Sequence, residues 1–353
     1  MDKIAKTKVK RNESKRSFGL QWHITDKCDQ RCKHCYIWGN NTRISCGEKE
    51  IDLFKCKKIV DDFLRFCKEF NMEPVINITG GDPLLFLDIW ELLGYINKQK
   101  IVFRILGNPF HLDDVVCDRL FSLGCRAYQM SLDGLEATHD YIRKKGSFDA
   151  TLSAIDKLKK NGIRSVIMST VSKLNYQEIP DLVRIVVEMG VDVYDFARYC
   201  PLTKDEDFQF LPLEYKEFLS KMWEIYTELA SRKTLFPLKD NLWILWLYES
   251  GLFKLKKEDV VFQGCNCGVS HLTLLPNGNI FACRRFESYV GNIFSQSFYD
   301  IFLGEKIDQY RDIDKLEGCR DCDLLNYCRG CHAVSYGVYG DFFAKDPQCW
   351  KNN

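Results

Sequence analysis

The stretch FGLQWHITDKCDQRCKHCY, residues 18–36, decides the fold. Its first seven residues form a short apolar run bounded by polar ones, which reads as a strand. Directly behind it come Cys28, Cys32 and Cys35, three thiols within eight residues. In barrels built from βα units, the chemistry sits on the loops that follow the strands.

Outward from this stretch the chain alternates apolar runs with amphipathic ones. Strands are expected at 18–24, 74–79, 101–106, 127–132, 164–171 and 192–198, and helical segments at 50–70, 84–99, 112–123, 150–161 and 176–189. In the first helical segment Ile51, Phe54, Phe63, Phe66 and Phe70 recur at roughly helical spacing. Successive βα units imply a parallel sheet or a partial (β/α) barrel of six strands. The alternation stops near residue 200. Residues 213–255 read as one or two helices whose Trp223, Tyr226, Trp243, Trp246 and Tyr248 fill a core. From about 260 the composition turns to Cys, Gly and turns such as Pro276–Asn279, the look of a small domain organised around metal. The expected organisation is a basic tail at 1–17, a barrel at 18–212, a helical bridge at 213–259 and a Cys-rich domain at 260–353.

With 50 Lys+Arg against 49 Asp+Glu in 353 residues, the net charge is +1. That balance leaves no footprint for nucleic acid or an anionic membrane. The 46% apolar content excludes global disorder, and no apolar run reaches the roughly 18–20 residues of a membrane span. The Met1 end carries no signal-peptide core, so the protein reads as cytoplasmic. In a reducing compartment, seventeen cysteines point to metal ligation or catalysis rather than disulfides. Cys46, Cys56, Cys67, Cys117, Cys125 and Cys200 have helical or strand neighbours and read mostly as small buried hydrophobes.

Three thiolates on one short loop can grip three irons of a 4Fe–4S cube and leave the fourth open. A three-ligand zinc site completed by water is the alternative, as is a run of structural cysteines. The spacing Cys28-x3-Cys32-x2-Cys35, followed by Tyr36, resembles the signature of the radical S-adenosylmethionine (SAM) superfamily. The resemblance implies reductive cleavage of SAM at the open iron and a 5′-deoxyadenosyl radical that abstracts hydrogen. Thr79-Gly80-Gly81-Asp82-Pro83 is similar to the Gly-Gly-Glu-Pro segment that contacts the methionine amine in that family, with Asp82 where Glu is usual. Glycines let backbone approach a ligand, and an acid can hold an ammonium. Outside that context GGDP reads as a turn. Ser131 and, twelve residues on, Arg143 resemble the Ser and Arg that contact SAM in peptide-modifying members. Asp133 and Arg143 also read as a turn and a surface ion pair. Asn175 is a further SAM-contact candidate.

Gly278-x4-Cys283, then Cys319-x2-Cys322-x5-Cys328-x2-Cys331 and Cys349, resembles the SPASM domain. The interval between Cys328 and Cys331 is one residue shorter than the family's, which reduces its turn to Arg329-Gly330. The resemblance implies two auxiliary 4Fe–4S clusters. Cys265, Cys267, Cys283 and Cys331 would hold the first, with one of the closely spaced Cys265 and Cys267 a doubtful ligand. Cys319, Cys322, Cys328 and Cys349 would hold the second. Structural zinc is the alternative. With the first site this makes three 4Fe–4S clusters, on a partial (β/α)6 TIM-like barrel followed by an auxiliary-cluster domain.

SPASM members mostly modify peptides, so the resemblance implies a precursor peptide as substrate. The outcome would be a thioether or carbon–carbon crosslink, an epimerisation or a backbone excision. The sulfatase-maturing branch places an Asp base directly after the Gly-x4-Cys cysteine, where this chain has Arg284, which takes no proton at neutral pH. Modification of a folded protein or small molecule is the second reading, and a non-catalytic metal module the third. About seventeen residues precede the barrel, so leader recognition is expected from a separate protein or from the barrel and SPASM surfaces. Flavodoxin or ferredoxin is the expected electron donor.

Overall fold

The computed structural model describes residues 16–37, 50–201, 208–256, 261 and 263–351. Cys46 and most of the basic tail lie outside the described residues. Six strands, β1 (Ser17–Thr25), β2 (Glu73–Gly80), β3 (Val102–Leu106), β4 (Ala127–Ser131), β5 (Arg164–Val171) and β6 (Val193–Arg198), pair in parallel in chain order. Between them run α1 (Leu53–Glu69), α2 (Ile89–Lys98), α3 (Asp114–Ser122), α4 (Glu136–Ile142), α5 (Ser147–Lys160) and α6 (Ile179–Glu188). The strands match the sequence expectation closely. The short α4 was not foreseen.

Local chemistry explains these elements. Asp52 and Asp113 cap α1 and α3 by accepting from Lys55 N (2.9 Å) and Val116 N (2.7 Å). Asp140, on α4, accepts from the amides of Gly146 and Phe148 and so fixes the start of α5. Along β1 the pleat turns Phe18, Leu20, Trp22 and Ile24 to the core, each fully buried. Phe18 meets Phe66 of α1 edge-on at 4.9 Å. Burial of each such side chain contributes about 1.5–3 kcal/mol. The opposite face presents Gln21 and His23 to the barrel lumen.

After the barrel, α7 (Pro212–Glu228) and α8 (Leu242–Glu249) carry the expected aromatic core, with Trp223 5.2 Å from Trp246 and Trp243 6.1 Å from Phe196. The Cys-rich segment begins with a strand that continues the barrel. β7 (His271–Leu274) pairs in parallel with β1, and β8 (Asn279–Phe281) and β9 (Tyr289–Asn292) follow antiparallel. The result is one nine-stranded sheet in the order β6-β5-β4-β3-β2-β1-β7-β8-β9. Two short helices, α9 (Phe298–Phe302) and α10 (Glu305–Asp308), precede the cysteine turns, and Phe298 packs on Phe63 of α1. The last helix is α11 (His332–Tyr339).

The barrel stays open at β6, and the end of that strand is clamped to the C-terminal segment. Arg198, 1% exposed, forms a two-point bond with Asp346 (both 2.8 Å) and also donates to Asp240 (2.9 Å) and Gln348 (2.9 Å). Asp346 in turn accepts the amide of Cys331 at 2.7 Å. Removing one partner of a buried pair leaves the other charge stranded. Arg198→Met, which strands the buried carboxylates of Asp346 and Asp240, is therefore expected to lower the unfolding free energy by about 3–5 kcal/mol in urea titration. A loss below about 1 kcal/mol, the value of an exposed pair, would contradict the clamp.

Candidate active site and thiolate centres

The loop after β1 holds Cys28, Cys32 and Cys35, all half-buried, with their charges within mutual range. Three backbone bonds shape it: Gly81 N to Thr25 O (2.7 Å), Asp82 N to Lys27 O (2.7 Å) and Lys33 N to Ile142 O (2.8 Å). The two glycines make this contact possible. A Cβ on Gly80, whose φ is +139°, would lie 2.3 Å from Thr25 O, and one on Gly81 2.1 Å from Lys27 O. Their close approach is thus to the chain's own cysteine loop. Sulfur acceptors are met by Gln30 N (3.4 Å) and Asn108 Nδ2 (3.9 Å) at Cys28 and by Arg143 Nη1 (3.8 Å) at Cys32. Burial pushes the Cys32 thiol up to about 11. A bound metal reverses that shift, because the ligand is the thiolate.

Asp133 and Arg143 form a buried pair rather than a surface one. Arg143 Nε donates to Asp133 Oδ2 at 2.5 Å, and its other nitrogens reach Cys32 and His34. Arg143 holds the fully buried Asp133 carboxylate below its usual range against the cost of burial. Asn175 is 2% exposed, and both of its amide donors are committed, to Asp133 O (2.6 Å) and Thr170 O (2.9 Å). It braces the loop that carries Asp133. Ser131 ends β4 half-buried, in register with Met168. Tyr36 packs edge-on to His23 at 5.8 Å, between the Cys35 loop and the Cys283 turn.

Asp82 is fully buried, and one oxygen accepts from Leu84 N at 3.2 Å while Oδ2 has no hydrogen-bond partner among the described residues and faces His111 Nε2 at 3.9 Å. Burial, with Asp29 adding its charge, pushes its carboxyl up to about 7. Asp29, Asp82 and His111 each bring a ligand atom within 4.8 Å of the others, a setting for a small cation or an amino acid's ammonium.

The lumen above this loop is polar and cationic. Gln21, Asn77 and Arg104 stand in register across β1, β2 and β3. Arg284 donates to Gln21 Oε1 at 2.7 Å, and Lys239 lies within electrostatic range of Arg284, Arg285, Arg104 and Asp195. Burial and then Arg284 push His23 down to about 3, so its imidazole is neutral at physiological pH. Gln21 Nε2, His23 Nε2 and Thr273 Oγ1 are buried without partners among the described residues. Sequence reading singles out only Arg284 among these residues, and only for the base it replaces. Strand alternation around Trp22 was the available signal for His23 and Gln21.

The C-terminal thiols form two groups. Cys319, Cys322, Cys328 and Cys349 line one small cavity with Asp346 and Gly330. Cys265, Cys267, Cys283 and Cys331 lie within electrostatic range of one another. The shortened Arg329–Gly330 turn places both residues in the left-handed region, at φ +63° and +60°. That costs about 1–2 kcal/mol for a residue with a side chain. Arg329 spans the two groups, donating to Leu325 O (2.8 Å) and Cys265 O (3.1 Å).

The sequence pattern of the radical SAM superfamily matches residues 22–186, and that of the iron–sulfur cluster-binding SPASM domain matches residues 265–323. These matches imply 4Fe–4S clusters and SAM binding. An AdoMet-dependent heme synthase of Methanosarcina barkeri is 26% identical over 340 residues, 94% of this chain and 95% of the relative. The mycofactocin maturase MftC of Mycobacterium tuberculosis is 26% identical over 273 residues, 75% of this chain and 63% of the relative. SuiB of Streptococcus suis, solved bound to its precursor peptide SuiA, superposes with a TM-score of 0.75 at 18% identity, over 99% of this chain and 78% of SuiB. Among the described residues no helix is long and apolar enough to cross a membrane.

Asp82 must lose its proton to hold an ammonium, and below its pKa of about 7 protons compete with that ligand. SAM affinity, measured by equilibrium dialysis, is therefore expected to fall about tenfold per pH unit below pH 7. The slope should vanish in Asp82→Asn, alongside weaker binding at pH 8. A flat wild-type profile would remove Asp82 from this role.

Proposed function

Because the chain belongs to the radical SAM superfamily and carries a SPASM domain, we propose that it is an oxidative peptide maturase with three 4Fe–4S clusters. The observation that carries this reading is the polar lumen with unpartnered donors, set between the Cys28 loop and the Cys283 turn. A maturase among the relatives and a SuiB structure with a precursor peptide bound support a peptide as occupant.

Cys28, Cys32 and Cys35 fit three irons of one cluster, and Asp82 Oδ2, which makes no hydrogen bond of its own, fits the methionine ammonium of SAM. Bound there, the two would supply radical chemistry for hydrogen abstraction from the substrate. Arg143 is a positioning residue: through Asp133 it fixes the end of β5, and through Cys32 the cysteine loop. Tyr36 and Ser131 would contact the bound cofactor, and Asn175 holds the Asp133 backbone. Neutral His23 presents Nε2 to the lumen as a hydrogen-bonding group without a charge. Arg104, Lys239 and Arg284 select a carboxylate on the substrate, an acidic side chain or a chain terminus. The C-terminal thiol groups fit auxiliary clusters, which would supply a one-electron acceptor for a net oxidation of the substrate. Flavodoxin or ferredoxin would feed the first cluster, and leader recognition would come from a separate protein or from the barrel and SPASM surfaces.

A second reading has its own observation. The heme synthase relative spans 94% of this chain, and propionates of an iron porphyrin would also suit a cationic lumen. Formation of 5′-deoxyadenosine under reduction, with short peptides encoded beside this chain and with iron coproporphyrin III, separates the two. The proposal expects peptide-stimulated turnover and a peptide lighter by about 2 Da, the loss of two hydrogens. Turnover stimulated by the porphyrin alone would transfer the assignment to the second reading. A lost charge-assisted bond is worth about 1.5–3 kcal/mol, so Arg284→Gln should raise KM roughly 10- to 100-fold. SAM affinity should be unchanged in that variant.

A further inference from the structure

The spare cysteines do not all behave alike. Cys56, Cys67, Cys117 and Cys125 are fully buried in the apolar core, as small hydrophobes should be. Cys200 is different. It is only half-buried, it lies just past β6, and its Sγ donates to Arg198 O at 3.9 Å, with the Cys331 side chain within reach. Cys283 is also within its electrostatic range.

Three independent contacts fix Cys200 in that place. Arg198, two residues earlier, is clamped to Asp346, which also takes the Cys331 amide. Arg285 bridges the same gap, donating to Cys331 Sγ at 3.2 Å and to Arg198 O at 3.5 Å. Pro201 lies against α11, the helix that Cys331 caps, so closely that a Cβ on Gly337 would sit 2.4 Å from Pro201 O. The strand end is therefore held on the first auxiliary group by backbone as well as side chains.

Cys267 lies within electrostatic range of Cys265, Cys283 and Cys331, and Cys200 within range of Cys283 and Cys331, so five thiols are offered where a cubane takes four. Their sulfur environments separate them. At Cys28, Cys322 and Cys328 the amide two residues on donates to the sulfur, at 3.4, 3.5 and 3.4 Å. The same i+2 backbone bond reaches Cys265 from Cys267 and Cys283 from Arg285. Amide bonds of this kind favour a thiolate sulfur. Cys200, whose Sγ donates to Arg198 O, and Cys267 both lack one among the described residues, so burial separates that pair, and Cys267 lies deeper. It is 3% exposed within the apolar core, with its backbone bridged to His271.

We infer that Cys200 is the fourth ligand of the first auxiliary centre, with Cys265, Cys283 and Cys331, and that Cys267 is a core residue. The inference rests on the auxiliary-cluster reading above. Its consequence is that the barrel itself supplies a ligand, so the β6 edge of the lumen and the cluster are held at a fixed separation.

The test uses the full chain carrying Cys28→Ala, Cys32→Ala and Cys35→Ala, purified without oxygen, with iron counts and EPR of the reduced protein. This parent should hold about eight irons. Adding Cys200→Ala should remove about four irons or convert one cluster to a three-iron signal, whereas Cys267→Ala should leave count and spectrum unchanged. Cys200→Ser, which keeps the side chain's size, should retain a cluster with altered g-values if Cys200 is a ligand. An unchanged count and spectrum in both Cys200 variants would overturn the inference, as would cluster loss in Cys267→Ala. An iron-poor parent would instead remove the auxiliary-cluster reading, and the inference with it.

Discussion

The buried pair of Arg198 and Asp346 is the constraint on which the site's construction depends. Parallel strands close a barrel only when first and last strands pair, and here β6 stays unpaired with β1 while β7 occupies the other side of β1. An open barrel needs something else to fix its last strand. The guanidinium of Arg198 does so by taking two oxygens of Asp346, one of Asp240 and one of Gln348 in the protein interior. Such an arrangement tolerates burial because all of the charge is met by charge and hydrogen bonds. It also sets position: Asp346 lies among the second group of C-terminal thiols and takes the amide of Cys331 from the first. One side chain on the barrel thereby references both thiol groups to the lumen.

The thiol sites share a physical logic. Burial alone keeps thiols protonated, as Cys32 shows, and an unfilled site is accordingly a set of neutral side chains. Amide donors and arginines placed at the sulfurs tilt the balance toward thiolate once metal arrives. Arg143 serves Cys32 and Arg285 serves Cys331. In both cases the arginine also touches the barrel, through Asp133 or the Arg198 carbonyl. Charge at the sulfur and position of the loop are set by the same residue.

Much of this was legible in the sequence because it is local. Three cysteines within eight residues after an apolar run, a Gly-Gly-Asp segment one βα unit later, and closely spaced C-terminal cysteines each report on a single loop. What escaped notice was long-range. Arg198 and Asp346 are 148 residues apart, and nothing near either marks it as half of a clamp. Cys200 reads as an ordinary strand-end cysteine until the fold brings Cys331 to it. The glycines at 80 and 81 were read as making room for a ligand, whereas the backbone they admit is that of Thr25 and Lys27. The Cys-rich segment reads as a separate domain from composition, but pairing of Gly19 with His271 joins it to the barrel sheet. Strand pairing is set by register between distant segments, which composition does not encode.

The central claim is that three thiolate sites on one sheet each hold a cubane cluster. Iron, acid-labile sulfide and zinc counted on the wild-type chain purified without oxygen test it most directly. The account predicts about twelve irons and about twelve sulfides per chain, with negligible zinc. About four irons, with zinc filling the C-terminal cysteines, would contradict it and leave the barrel cluster to act without auxiliary electron acceptors.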